Sequence, residues 1–465
     1  MDGALSFLPS GRWHPGRPME KPVPHSSASP SLPRFAAAPL RVGLAGAGTV
    51  GAGVGGLLQR NGALIAARAG RAITLSAVAT RTPSRAQALA RQGARVLPTP
   101  LDLTRQPDLD VVVEAIGGTH DALHLTLAAV AAGKHVVTAN KALLALHGDE
   151  IFAQAHRQGV MVLYEGAVAA AIPIVRSLGS GLAANRIDRL EAILNGTCNF
   201  MLGRMQRARL SFAQALAEAQ QAGYAEADPT LDIDGTDAAH KLVLLARIAF
   251  GGAIRLQDVQ IDGLAGLMPV DLALARQMGR RIKHVARARR LPGGLHLQVG
   301  CALLPPGHPL AAVDGVLNAV AVQGDASGPT LHVGAGAGAG PTASAVVADL
   351  IEVARQAAPS GRGPAPAGHV TEGPAPCPPG DVTERHHLRL PVAADRDALP
   401  AALQVLAGAG VEVVSGQALV AADGSHHLAL CTSPSPELAV ATAVQRLMHL
   451  PAARGRPVRM TIEAA

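Results

Sequence analysis

An α/β fold built on a doubly wound parallel sheet is predicted for the first half of this 465-residue chain, and two observations predict it. From Leu40 to Tyr164, short apolar runs alternate with Ala- and Leu-rich stretches of helical length, the pattern of strands joined by crossover helices. The first run leads at once into Gly46-Ala47-Gly48-Thr49-Val50-Gly51. Glycines at that spacing suit a tight turn from a strand into a helix whose N-terminus faces an anion. Strands are expected at Leu40–Leu44, Ile73–Ala79, Val111–Ile116, His135–Val137 and Val160–Tyr164.

Beyond Gly166 the pattern is mixed, as in an α+β domain. Ser211–Phe250 reads as helix on either side of a turn at Asp228-Pro229, and a helix is expected over Gln277–Arg287. Apolar runs follow near Leu295–Leu304 and Val313–Val322. After the Gly/Ala run Gly334–Gly340, Pro341 sits where a helix begins, and that helix is expected to reach about Ala358. Ser360–Pro379 reads as a Pro/Gly linker. The remainder gives Leu388–Pro391, Ala398–Ala409, Val411–Val414, Leu428–Cys431, Glu437–Leu447 and Val458–Ile462, a βαββαβ order that predicts a small ferredoxin-like domain.

Composition narrows the function classes. At 48% hydrophobic and 16% charged, the chain has ample apolar material for a core. Aromatic residues are only 2%, and the net charge of +7 is spread along the chain. Neither a stacking platform nor a basic stripe for nucleic acid is expected. No run of 18 apolar residues is present, so no membrane span is expected. Cys198, Cys301, Cys377 and Cys431 lie far apart with no CxxC, as in a reduced cytoplasmic protein. The Pro-, Ser- and His-rich start lacks an apolar h-region and reads as a disordered extension rather than a signal peptide.

Charge placement points to the chemistry. No Asp or Glu occurs between Glu20 and Asp102, and the second strand ends at Thr80-Arg81, with Arg85 one turn on. A carboxylate there would favour a free ribose 2′-hydroxyl, whereas an arginine suits a 2′-phosphate. NADPH is therefore expected over NADH, with Arg81 as its contact. In this charge-poor chain, Tyr224–Lys241 holds five carboxylates and a lysine. Asp237 and Lys241 are four residues apart, on one helix face. Glu226, Asp228, Asp232 and Asp234 precede them, as if to hold a cationic group such as an amine. Lys141 follows a parallel strand, at the end where such sheets bind ligands. Cys198 lies in Asn195-Gly196-Thr197-Cys198-Asn199 with no base nearby in sequence, so a structural role is expected of it.

GLAGAGTVGAGV, TANKALLA, YEGAVAAAIPI, NGTCNFM, ADPTLDIDGTDAAHKL and GPTASAVVADL, in that order, resemble the homoserine dehydrogenase family. The resemblance implies reduction of L-aspartate 4-semialdehyde to L-homoserine with NAD(P)H, on the route to threonine, isoleucine and methionine. It implies Lys241 as proton donor and acceptor with Asp237 beside it, and Lys141 at nicotinamide and substrate. Glu226 and Asp232 correspond to carboxylates around the substrate ammonium. Gly46, Gly48, Thr49, Val50, Gly51 and Gly338 correspond to cofactor positions. Glu165, Val168, Ala170 and Ile172 correspond to a backbone site for Na+ or another monovalent cation, in a stretch where the family commonly has glycines and this chain has Ala169-Ala170-Ala171.

The resemblance also implies a Rossmann-type domain over 40–165 plus 338–359 and a catalytic and dimerisation domain over 166–337. A disordered extension (1–39), a linker (360–385) and an ACT-like regulatory domain (386–465) complete the expected division. The last is degenerate: Asp395-Arg396-Asp397-Ala398-Leu399-Pro400 stands where such modules usually have Pro-Gly. A homo-oligomer, dimer or tetramer, is expected. Two other readings fit the residues: another Rossmann semialdehyde reductase, and a non-catalytic NADPH-binding regulator.

Overall fold

The computed structural model describes residues 37–356 and 373–464. Most of the expected extension, the end of the helix after Pro341 and the 360–372 part of the linker therefore lie outside the described residues. The first sheet holds β1 (Leu40–Ala45), β2 (Ile73–Ala79), β3 (Arg95–Leu97), β4 (Val111–Glu114), β5 (His135–Thr138) and β6 (Val162–Leu163). All are parallel, in the order β3-β2-β1-β4-β5-β6. This is the doubly wound Rossmann arrangement, which reverses direction between β1 and β4 and opens a crevice at the strand carboxyl ends. The inner strands are near-continuous apolar runs because helices cover both faces. Those helices are α1 (Thr49–Arg60), α2 (Gly62–Ala69), α3 (Pro83–Ala90), α4 (His120–Ala131) and α5 (Lys141–Gln158). The edge strand β3 was not expected; at three residues, two of them exposed, it leaves almost no apolar signature.

The second sheet begins with β7 (Ile187–Ile193), after the short helix α6 (Ile174–Arg176). Helices α7 (Gly196–Ala208), α8 (Phe212–Gln221), α9 (Thr230–Ile233) and α10 (Thr236–Phe250) follow, then β8 (Gln260–Ile261) and α11 (Pro269–Gln277). The strands β9 (Arg281–Leu291), β10 (Gly294–Leu304), β11 (Leu317–Gly324) and β12 (Gly328–Ala335) complete this part. The helix expected over Gln277–Arg287 is thus corrected: the helix ends at Gln277 and, after a turn, Arg281–Arg287 is strand. Its Ala and Arg residues have good helical propensity, but β9 is central, paired with β7 on one side and β10 on the other. Long-range pairing overrides local preference.

Helix α12 (Ala339–Gln356) returns to the first sheet. Ala343, Val346, Leu350 and Val353 pack among Leu40, Val42, Leu44 and Val111. The C-terminal part contains β13 (Thr383–Glu384), β14 (His386–Val392), α13 (Ala398–Ala407), β15 (Val413–Val420), β16 (His426–Thr432), β17 (Ser435–Pro436), α14 (Glu437–Leu447) and β18 (Val458–Ile462). Apart from the small β13–β17 pair, this is βαββαβ with sheet order β18-β14-β16-β15, a ferredoxin-like arrangement. Strand β18 also pairs in parallel with β10, so ten strands form one sheet.

Buried charge holds that junction. Arg389 on β14 donates to Asp271 on α11 at 2.6 Å, and both are fully buried. Arg287 lies 2.7 Å from Glu463. Glu384, His386 and Glu437 bring three potential ligand atoms within 4.8 Å of one another. The guanidinium groups of Arg289 and Arg459 already pair with the two carboxylates, which makes the cluster an ion-pair clamp. Burial would raise the Glu437 carboxyl, but the His386 ring and the Arg459 charge beside it bring it down to about 2.

Three buried histidines set the response to acid. Burial pushes His135 and His284 down to about 4 and His296 down to about 3. Each stays neutral in the folded chain while the unfolded chain binds a proton below about pH 6.5. Stability is therefore lost as pH falls from about 6.5 toward 4, by about 2 kcal/mol per histidine at pH 5. The urea midpoint should fall steeply between pH 7.5 and 5, and His284→Gln should flatten the slope. A midpoint constant over that range would contradict this placement of the imidazoles.

Candidate active site

The turn after β1 explains its glycines one by one. Gly46 has φ +92°, and a Cβ there would lie 2.4 Å from the Ala115 carbonyl oxygen. A Cβ on Gly51 would lie 2.0 Å from the Gly46 carbonyl oxygen. Gly48 caps α1, and Thr49, Val50 and Gly51 open it with no acidic side chain in the first turn. The free N–H groups at this helix start suit a pyrophosphate. Arg81 is exposed just beyond β2. Arg85 is the arginine that touches the loop, its Nη1 3.5 Å from the Ala47 carbonyl oxygen.

At the strand ends, Asn140 caps α5 by accepting from the Leu143 N–H, which sets Lys141 as the first helical residue. Glu114, at the end of β4, accepts 2.5 Å from the Thr138 hydroxyl and also from the Ile116 N–H. Burial raises this carboxyl above its usual range.

Three segments meet at Asp237. Lys241 Nζ donates to Asp237 Oδ2 at 2.7 Å and to the Leu194 carbonyl at 2.7 Å. Lys141 Nζ lies 3.2 Å from Asp237 Oδ1. Asn195, after β7, donates to Asp237 at 3.0 Å and to Asp232 at 2.6 Å. Burial alone would raise the Asp237 carboxyl, but the Lys241 and Lys141 charges and the two donated hydrogen bonds hold it well below the carboxylate range. Asp232 goes the other way, raised by burial and by the Asp237 charge. The structure thus unites Lys141, Asp232, Asp237 and Lys241. Glu226 stays apart, exposed on the loop between α8 and α9. Cys198 is fully buried, and burial raises its thiol well above the usual range, which leaves it inert.

The 165–172 loop runs beside β12 and α12. The Glu165 carboxylate accepts from the Val175 and Arg176 N–H groups, and its own N–H donates to Asp349. Ala169 and Ala170 have φ +52° and +32°, a region that costs an alanine about 1 kcal/mol or more. Gly338, at φ +117°, opens α12 through its carbonyl, which accepts from Thr342.

The family profile described as homoserine dehydrogenase matches residues 173–351, and that described as homoserine dehydrogenase, NAD binding domain, matches 46–165. A homoserine dehydrogenase of Pseudomonas aeruginosa is 49% identical over 68% of this chain and 73% of its own length. The chain belongs to the homoserine dehydrogenase family. A second member, from Neisseria gonorrhoeae, is 46% identical over the same shares. The crystal structure of a homoserine dehydrogenase from Thiobacillus denitrificans matches with a TM-score of 0.83 and 42% identity, covering 92% of this chain and 98% of that one.

The protein is accordingly an NAD(P)-dependent oxidoreductase of amino-acid biosynthesis that reduces aspartate semialdehyde. Among the described residues, no helix is long and apolar enough to cross a membrane. Sequence reasoning missed Glu114, Asn140 and the bridging role of Asn195. Asn140 and Asn195 sit one residue before α5 and α7, the position where an Asn side chain caps, and an Asn ahead of a run of helical length is the signal that could have found them.

Proposed function

We propose that the enzyme reduces L-aspartate 4-semialdehyde to L-homoserine with NADPH, Lys241 giving and taking the proton. The observation that carries this reading is the ammonium of Lys241, 8% exposed and held by Asp237 and the Leu194 carbonyl. Bound NADPH supplies hydride to the aldehyde carbon. Lys241 meets the alkoxide that forms, stabilising its charge and protonating it. Asp237 orients both lysines, and Lys141 brings a second ammonium to the nicotinamide and substrate side. Asp232, steered by Asn195, takes the substrate ammonium, with Glu226 on the adjoining loop.

The cradle of Gly46, Gly48, Thr49, Val50, Gly51 and Gly338 fits a dinucleotide, since a Cβ at Gly46 or Gly51 would collide with backbone there. A carboxylate-free end of β2 with Arg81 supports NADPH over NADH. Arg81→Asp should lower kcat/KM for NADPH relative to NADH by at least about tenfold, the scale of one charge-assisted contact. An unchanged NADPH/NADH ratio would move the 2′-phosphate contact elsewhere, to Arg85 first.

A monovalent cation at Glu165, Val168, Ala170 and Ile172 belongs to this reading. Among the described residues, no donor reaches the carbonyls of Val168 and Ala170, both buried, and buried carbonyls need a partner. The enzyme works as a cytoplasmic homo-oligomer. Leu317, Leu331 and Val333, exposed on β11 and β12, supply apolar surface for it. The nucleotide domain comprises 40–165 with 338–359 and the catalytic domain 166–337. The segment 386–465 acts as a degenerate ACT-like regulatory module.

A further inference from the structure

Asn318 lies one residue inside β11, level with the end of β7 and paired with Gly334 of β12. Its side chain is 1% exposed. Nδ2 donates at 3.0 Å to the Leu194 carbonyl, the same oxygen that receives Lys241 Nζ at 2.7 Å. Because that oxygen can only accept, the amide must present its nitrogen to it, which turns Oδ1 the other way. Oδ1 is buried and has no hydrogen-bond partner among the described residues. A buried acceptor left unmade is costly, typically about 1–3 kcal/mol. Above the amide runs the Gly/Ala segment that leads into α12. A Cβ on Gly336 would come within 2.2 Å of Asn318 Nδ2 and Oδ1, so only glycine lets the chain pass over the amide there.

We propose that Asn318 is a positioning residue for the reaction. Its N–H holds the Leu194 carbonyl and through it the Lys241 ammonium, and its Oδ1 accepts from an N–H donor of a bound ligand. Two ligands carry such a donor: the nicotinamide carboxamide and the substrate ammonium. The amide thereby links the proton-transferring lysine to the loop approaching the cofactor. This inference rests on the role assigned to Lys241.

The test compares Asn318→Asp, Asn318→Ala, Gly336→Ala and Lys241→Ala, each first checked for folding by thermal melting. Asn318→Asp keeps the shape and an acceptor but loses the donor unless its carboxyl is protonated. Its kcat should drop at least about 30-fold near pH 8, within the range of acid–base contributions, and the deficit should shrink as pH approaches 5.5. A purely structural role would give no such pH-dependent recovery. Gly336→Ala should lower kcat similarly by displacing the amide.

Asn318→Ala removes the acceptor as well. A Kd for NADPH, read by its fluorescence, that is at least fivefold weaker than in Asn318→Asp would assign Oδ1 to the carboxamide. An equivalent rise in KM for L-aspartate 4-semialdehyde would assign it to the ammonium. If both Asn318 variants stay within threefold of wild type in kcat, Kd and KM while Lys241→Ala is inactive, the positioning role is overturned. If Lys241→Ala itself remains active, it is the reading of Lys241 that fails.

Discussion

Lys241→Ala should bind NADPH almost as tightly as the wild-type enzyme and turn over at least about 100-fold more slowly, the lower end of general acid–base contributions. Lys241 lies on the second turn of α10, on a different element from the glycine turn proposed for the cofactor's phosphates. Its removal leaves Asp237 still paired with Lys141 and Asn195, so no buried carboxylate is stranded and folding should survive. What disappears is the ammonium donor at the Leu194 carbonyl and with it the proton for the forming alkoxide. NADPH fluorescence titration and steady-state rates separate the two effects. Weakened NADPH binding with proportionate loss of rate would show that Lys241 serves binding instead.

Arg389→Leu should be the most damaging single change at the junction between the catalytic and C-terminal parts. The guanidinium donates to Asp271 Oδ1 at 2.6 Å and to the Gly266 carbonyl, and faces the His427 ring at 3.2 Å. Asp271 is itself fully buried and caps α11 by accepting from the Met268 N–H. Leucine would leave that carboxylate without its counter-charge, and breaking a buried pair on one side costs about 3–5 kcal/mol. The denaturation midpoint should fall sharply, and hydrogen exchange should quicken in Pro269–Gln277 and His386–Val392. Adding Asp271→Asn should recover a large part of the loss, since the stranded charge is then gone. A single variant as stable as wild type would refute the clamp.

Local spacing made much of this molecule legible. Gly46, Gly48 and Gly51 reveal the nucleotide turn because their spacing falls within one strand-to-helix connection, where Gly46 and Gly51 leave no room for a Cβ. Asp237 and Lys241 declare themselves as neighbours through the helical repeat alone, and Lys141 through its position after a parallel strand. β9 was misread because its strand character comes from pairing, with β10 across a tight turn and with β7 far back in the sequence, and this pairing outweighs the propensities of its Ala and Arg residues. Glu226 and Asp232 lie in one acidic run and read alike. Only the fold turns Asp232 toward Asn195 and leaves Glu226 in solvent. The ion pairs of Arg287, Arg289, Arg389 and Arg459 were invisible because burial of a charge depends on a partner many residues away. Ala169 and Ala170 lie between. The departure from glycine was visible in the sequence, while the positive φ values that make it matter came from the loop's path beside β12.

Chemical rescue tests most directly whether Lys241 is the group that moves the proton. Lys241→Ala would be assayed with NADPH and L-aspartate 4-semialdehyde in the presence of methylamine or ammonium. A small amine that fills the vacated space should restore turnover in proportion to its concentration, reach saturation and leave the wild-type rate unchanged. Turnover of Lys241→Ala within a few-fold of wild type without any amine would contradict the account.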